Sequence, residues 1–68
     1  MRLYRLLTGK DDSDFCHKVT KALSEGWKLY GDPQYVCIGR ASARCAQAVT
    51  KEVVDQPYSR EKKLVDYE

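Results

Sequence analysis

Few side chains in this sequence are suited to chemistry. The single histidine, His17, stands beside Cys16, and two further cysteines, Cys37 and Cys45, lie downstream. A catalytic imidazole needs an orienting partner and a reacting group within reach. The helical neighbours of His17 are Asp14 at i−3 and Lys21 at i+4, a spacing that makes a surface pair rather than a dyad. No glycine-rich phosphate loop, GxSxG elbow, HExxH run or second histidine accompanies them. The chain therefore reads as non-catalytic and free of cofactors. Adjacent helical side chains diverge by about 100°, so Cys16 and His17 do not converge on one metal ion. The other two cysteines differ. A hairpin closed by a loop over 39–43 sets Cys37 directly opposite Cys45, with Cβ atoms roughly 4.5–5.5 Å apart. That placement suits a strained cross-strand disulfide or half a metal site, and gives a thiol-based redox or metal sensor as a third functional reading. The bland alternative is two buried thiols acting as small hydrophobes.

Aromatic and basic residues carry the second reading. Arg40 and Arg44 flank the same loop, and Tyr30 and Tyr35 are candidates for an open sheet face. Tyrosines beside arginines hold single strands by stacking and phosphate contacts. Against this, the sequence pI near 8.5 falls short of the usual basic footprint of about 9, and no ribonucleoprotein-type aromatic motif is present. A weak nucleic-acid-binding module using Tyr30, Tyr35, Arg40 and Arg44 is the alternative to the leading reading below.

The positioning elements follow from local pattern. Residues 2–7 form a short strand with apolar groups on both parities, Leu3 and Leu7 against Tyr4 and Leu6, stopped by the turn cluster Thr8-Gly9-Lys10-Asp11. Residues 12–25 form a helix capped by Asp12 or Ser13, with Phe15, Cys16, Val19, Ala22 and Leu23 on one face and Gly26 ending it. A strand over 27–31 carries Trp27 and Leu29 on one side and Lys28 and Tyr30 on the other. Gly31-Asp32-Pro33 bends or bulges it, which marks an edge strand. Extended chain resumes over 34–38, and the last strand covers 44–53. The order strand–helix–strand–strand predicts an α+β, two-layer domain over 1–56. One helix packs on a three-stranded, mostly antiparallel sheet. Residues 57–68 read as a charged C-terminal tail.

Size and charge bound the rest. The chain has 68 residues, twelve Lys and Arg against ten Asp and Glu, and a formal net charge of +2. So small a domain has a marginal core and commonly compensates by disulfides, metal or oligomerisation. Three cysteines cannot all pair within one chain, and no secretory leader or apolar run of about 18 residues is evident. The expectation is a cytoplasmic protein with reduced thiols and no membrane association. One helix covers one sheet face only. The other must be covered by the tail, by a second copy, or by a partner. The leading reading is therefore a self-association or protein-interaction module. It is expected to be a homodimer through the uncovered face or an exposed edge, with Tyr4, Tyr35, Ala46 and Ala48 as the contact surface.

The stretches Leu3-Tyr4-Arg5-Leu6-Leu7-Thr8-Gly9, Phe15-Cys16-His17, Gly26-Trp27-Lys28-Leu29-Tyr30-Gly31 and Ala46-Gln47-Ala48-Val49, in this order, resemble the small bacterial proteins grouped as domain of unknown function 1737. The likeness spans roughly residues 2–53. It implies a bacterial source and the fold given above, and it transfers no activity, substrate, cofactor or catalytic residue.

Overall fold

The computed structural model describes residues 1–39 and 42–68, leaving aside the side chain of Ile38. Its order is β1 (Arg2–Lys10), α1 (Ser13–Ser24), β2 (Lys28–Ile38), β3 (Ser42–Glu52) and a short 3₁₀ helix, Leu64–Tyr67. The fold is α+β: α1 lies on a three-stranded sheet of order β1-β3-β2 in which both pairings are antiparallel.

Local chemistry sets the helix. The Asp12 carboxylate accepts from the backbone N–H of Asp14 at 3.1 Å and of Phe15 at 3.4 Å, satisfying two orphan donors of the first turn. Gly26, at φ +98°, supplies the left-handed residue after the last turn, and the Trp27 N–H then returns to the Ala22 carbonyl at 3.1 Å. Phe15, Val19 and Ala22 meet the sheet, whereas Cys16 and Leu23 are exposed. The apolar stripe is thus narrower than its periodicity predicts, because α1 packs chiefly over β1. Close approach is possible at Gly9, where an added Cβ would come within 3.1 Å of the Phe15 ring.

Strand bounds differ by more than one residue at two places. β1 runs on through Thr8, Gly9 and Lys10, since all three keep partners on β3. β3 begins at Ser42, so residues 42 and 43 are strand and not loop. The second change shifts the hairpin register: Cys37 stands opposite Ala43, and Cys45 stands opposite Tyr35. The expected direct Cys37–Cys45 opposition is therefore corrected to a diagonal relation, at a separation of roughly 7–8 Å.

β2 is an edge strand broken as its glycine and proline require. Tyr30 pairs with Ala48 and Gln34 with Ala46, so β2 spends two extra residues around Gly31, Asp32 and Pro33. The buried Gln47 side chain braces the bulge, donating to the Ala48 carbonyl at 2.9 Å and lying 3.3 Å from each of the Tyr30 and Gly31 carbonyls.

The core consists of Leu3, Leu7, Ala22, Trp27, Val49 and Tyr67. Tyr67 belongs to the C-terminal segment, which turns back onto the same side as the helix. Its hydroxyl accepts from the Ser59 N–H at 2.8 Å and donates to the Ser59 carbonyl at 2.9 Å, while Lys51 holds Glu68 at 2.8 Å. The C-terminal segment therefore does not cover the second sheet face, one of the three covers the sequence left open. Tyr67 fills the gap beside α1, over Trp27 and Val49, where a single helix is too narrow for three strands.

Candidate functional site

Strand alternation divides the sheet into two unlike surfaces. In β1 the odd residues Leu3, Arg5 and Leu7 face the helix, opposite Lys51, Val49 and Gln47 of β3. The even residues Arg2, Tyr4, Leu6, Thr8 and Lys10 face away, opposite Glu52, Thr50, Ala48, Ala46 and Arg44. On β2 the register adds Lys28, Tyr30, Gln34 and Val36 to that second surface. Neither α1 nor the C-terminal segment reaches it. Tyr4, Leu6, Tyr30 and Val36 remain 52% to 58% exposed around the half-buried Ala46 and Ala48. This bare face is the candidate site.

Its charge is one-sided. The register places Arg2, Lys10, Lys28 and Arg44 on it against Glu52, all exposed, and the exposed Asp32 of the bulge shares their parity. Arg2 Nε donates to Glu52 Oε1 at 2.8 Å, and Glu52 raises the guanidinium pKa by that bond and by its charge. Lys10, Lys28 and Arg44 make no ion pair among the described residues.

The expected surface residues separate on this map. Tyr4, Ala46 and Ala48 do share the bare face. Tyr35 does not: opposite Cys45, it lies on the helix side, and its hydroxyl donates to Asp11 Oδ2 at 2.9 Å. That bond holds the phenol proton and raises its pKa. Tyr30 and Tyr35 are therefore not neighbours on one platform, because the bulge keeps parity across 31–33 and the two tyrosines have opposite parity. Arg44 sits on the bare face, and Arg40 lies outside the described residues. Leu6, Val36, Arg2, Lys10 and Lys28 belong to the face and were not among the predicted contacts. Their shared parity with Tyr4 and Tyr30 was the signal available.

The thiols fare differently. Cys16, Cys37 and Cys45 are free, and Cys45 is half buried. Burial first, and then the charge of Asp11, push the Cys45 thiol pKa up, which lowers its thiolate fraction. Among the described residues no group of three or more His, Cys, Asp and Glu is arranged to hold a metal ion. His17 is exposed on α1. No helix among the described residues is long and apolar enough to cross a membrane.

The edges of the sheet are as unlike as its faces. Met1 and Val53 exchange both backbone bonds at 2.8 Å, which makes them a hydrogen-bonded pair of the antiparallel ladder. Counting from that pair, odd residues of β1 turn their backbone groups to β3, and Arg2, Tyr4, Leu6 and Thr8 turn theirs outward. Lys18 Nζ donates to the outward Thr8 carbonyl at 2.6 Å and blunts the edge there. Arg2, Tyr4 and Leu6 present their edge without a bulge, a proline or a pairing strand among the described residues.

Two comparisons, with curated proteins and with solved structures, give no match. A family model described as Domain of unknown function (DUF1737) matches residues 1–52, from the start of β1 to the end of β3.

Proposed function

The chain belongs to the DUF1737 family, and from that premise we propose that it is a non-catalytic association domain that forms a homodimer along the free edge of β1. The observation that carries this reading is the row of outward backbone groups on Arg2, Tyr4 and Leu6. A second copy related by a two-fold axis sets Tyr4 opposite its own counterpart and Arg2 opposite Leu6. Six N–H and C=O pairs then close, and two three-stranded sheets become one of six strands. The other edge does not offer this, since the bulge at Gly31–Pro33 disrupts it. Charge favours edge over face: stacking two bare faces opposes Lys10, Lys28 and Arg44 to like charges, whereas edge pairing leaves those cations in water. His17 is exposed on α1, and adjacent helical side chains diverge by about 100°, so Cys16 does not share a site with it. The same reading places the domain in a bacterial cytoplasm, where Cys16, Cys37 and Cys45 stay reduced.

Light scattering at a few micromolar tests the proposal. The expected mass is twice 7.8 kDa, and it holds as salt rises because backbone hydrogen bonds are little screened. Tyr4→Pro removes the central donor, and Tyr4→Lys adds a charge to the two-fold axis. Both are expected to give monomers with unchanged helical circular dichroism. A monomeric native chain overturns the reading.

A further inference from the structure

The bare face carries more than packing requires. With α1 and the C-terminal segment both on the other side, nothing in the fold needs two tyrosines, a leucine and a valine exposed there. Nor does the fold require four cations against two carboxylates, Glu52 and Asp32 of the bulge, on a chain whose formal net charge is only +2. The whole formal excess of positive charge thus lies on this one face. We infer that this face binds single-stranded nucleic acid.

Each part of the surface has a task in that complex. Tyr30 and Tyr4 are two strands and one cross-strand row apart, a separation of about 12 Å by strand spacing and rise. Each exposes a ring on which one base stacks. Between them Ala48 and Ala46, small residues of the central strand, leave a low floor over which the strand passes. Lys28 lies near one end of the face and Lys10 and Arg44 near the other, about 20–22 Å away by strand rise and spacing, where they meet phosphates. Arg2 stays with Glu52 and contributes less. Asp11 and Asp12 border the Lys10–Arg44 end from the helix side, so the strand keeps to the sheet there and does not wrap the turn. Charge complementarity selects this occupant over a second copy of the face, which would repel. A broad sheet with a flat aromatic surface also fits unstacked bases better than the groove of a duplex, which admits a helix or a two-stranded ribbon.

Tyr4 also lies on the proposed dimer axis, whereas Tyr30 and Lys28 lie on β2, the far edge, so variants there test the inference apart from edge pairing. The test is fluorescence anisotropy of a labelled oligothymidylate longer than the face, with the full chain, and with a duplex of the same length and heparin as parallel probes. Expected is binding to the single strand that weakens roughly twentyfold between 50 and 200 mM salt, as three phosphate contacts imply. Tyr30→Leu is expected to weaken it roughly five- to a hundredfold through lost stacking. Lys28→Glu should weaken it and flatten the salt slope, while Lys21→Glu on the exposed helix surface leaves it unchanged. Light scattering on the same variants should return the native mass, which separates failure of this site from failure of the dimer. Equal binding of heparin or duplex, an unaffected Tyr30→Leu variant, or no binding to the oligothymidylate at low salt overturns the inference.

Discussion

Leu6 and Leu7 are neighbours in one strand, yet Leu6 is 52% exposed and Leu7 is 7% exposed. They stand for the two faces of the sheet. The face under α1 is completed by chain from three directions: the helix, the β2 entry at Trp27, and the returning C-terminal Tyr67. It even holds Gln47, a buried polar side chain, against the carbonyls of the bulge and of Ala48. Among the described residues the opposite face receives no covering chain and keeps its aromatic and basic groups in water. A chain of 68 residues has material for one good face. What it leaves on the other is therefore a surface available for recognition, and its chemistry is specific enough to argue from.

The contrast is sharpest at the two leucines. Leu7→Ala is expected to cost about 2–5 kcal/mol, a cavity beneath the helix, whereas Leu6→Ala changes stability by no more than about 0.5 kcal/mol. Urea denaturation of both variants measures this, and equal losses would mean the bare face is part of the core. Gln47→Leu comes next. It keeps the volume but removes the side-chain bonds to the Tyr30, Gly31 and Ala48 carbonyls, at an expected cost of about 0.5–1.5 kcal/mol. Amide exchange should then quicken around the bulge before it does in β1. The smallest effect is acid release of the C-terminal segment. Lys51 holds the Glu68 carboxyl below its ordinary range, chiefly by the hydrogen bond and against partial burial. A depressed folded-state value stabilises above the unfolded pKa and is lost as pH falls through the folded one. Loosening of Tyr67 is thus expected only below about pH 4, seen as faster exchange of its amide. Glu68→Gln should remove that acid step.

Legibility in the sequence followed the range of the interaction. The Asp12 cap and the Gly26 stop act within one or two turns, and the helix expected over 12–25 forms over Ser13–Ser24. The bulge at Gly31-Asp32-Pro33 was readable because Pro33 brings no N–H to the ladder and Gly31 tolerates a positive φ. Contacts between distant residues were not readable in this way. β1 offers apolar groups on both parities, so local pattern could not choose between Leu3 with Leu7 and Tyr4 with Leu6 for the buried set. Tyr35 was grouped with Tyr4 for the same reason, and the structure puts it across the sheet with Asp11.

By itself, then, the sequence determined the α+β order, the helix ends, the irregular edge and the scarcity of catalytic groups, all properties of residue type and near neighbours. Tertiary structure alone decided which parity went inside, that Cys37 meets Ala43, and that Tyr67 returns to the helix side. The reason is physical. Burial, register and chain return depend on which surfaces fit when remote segments meet, and in a sheet a shift of one residue exchanges the faces.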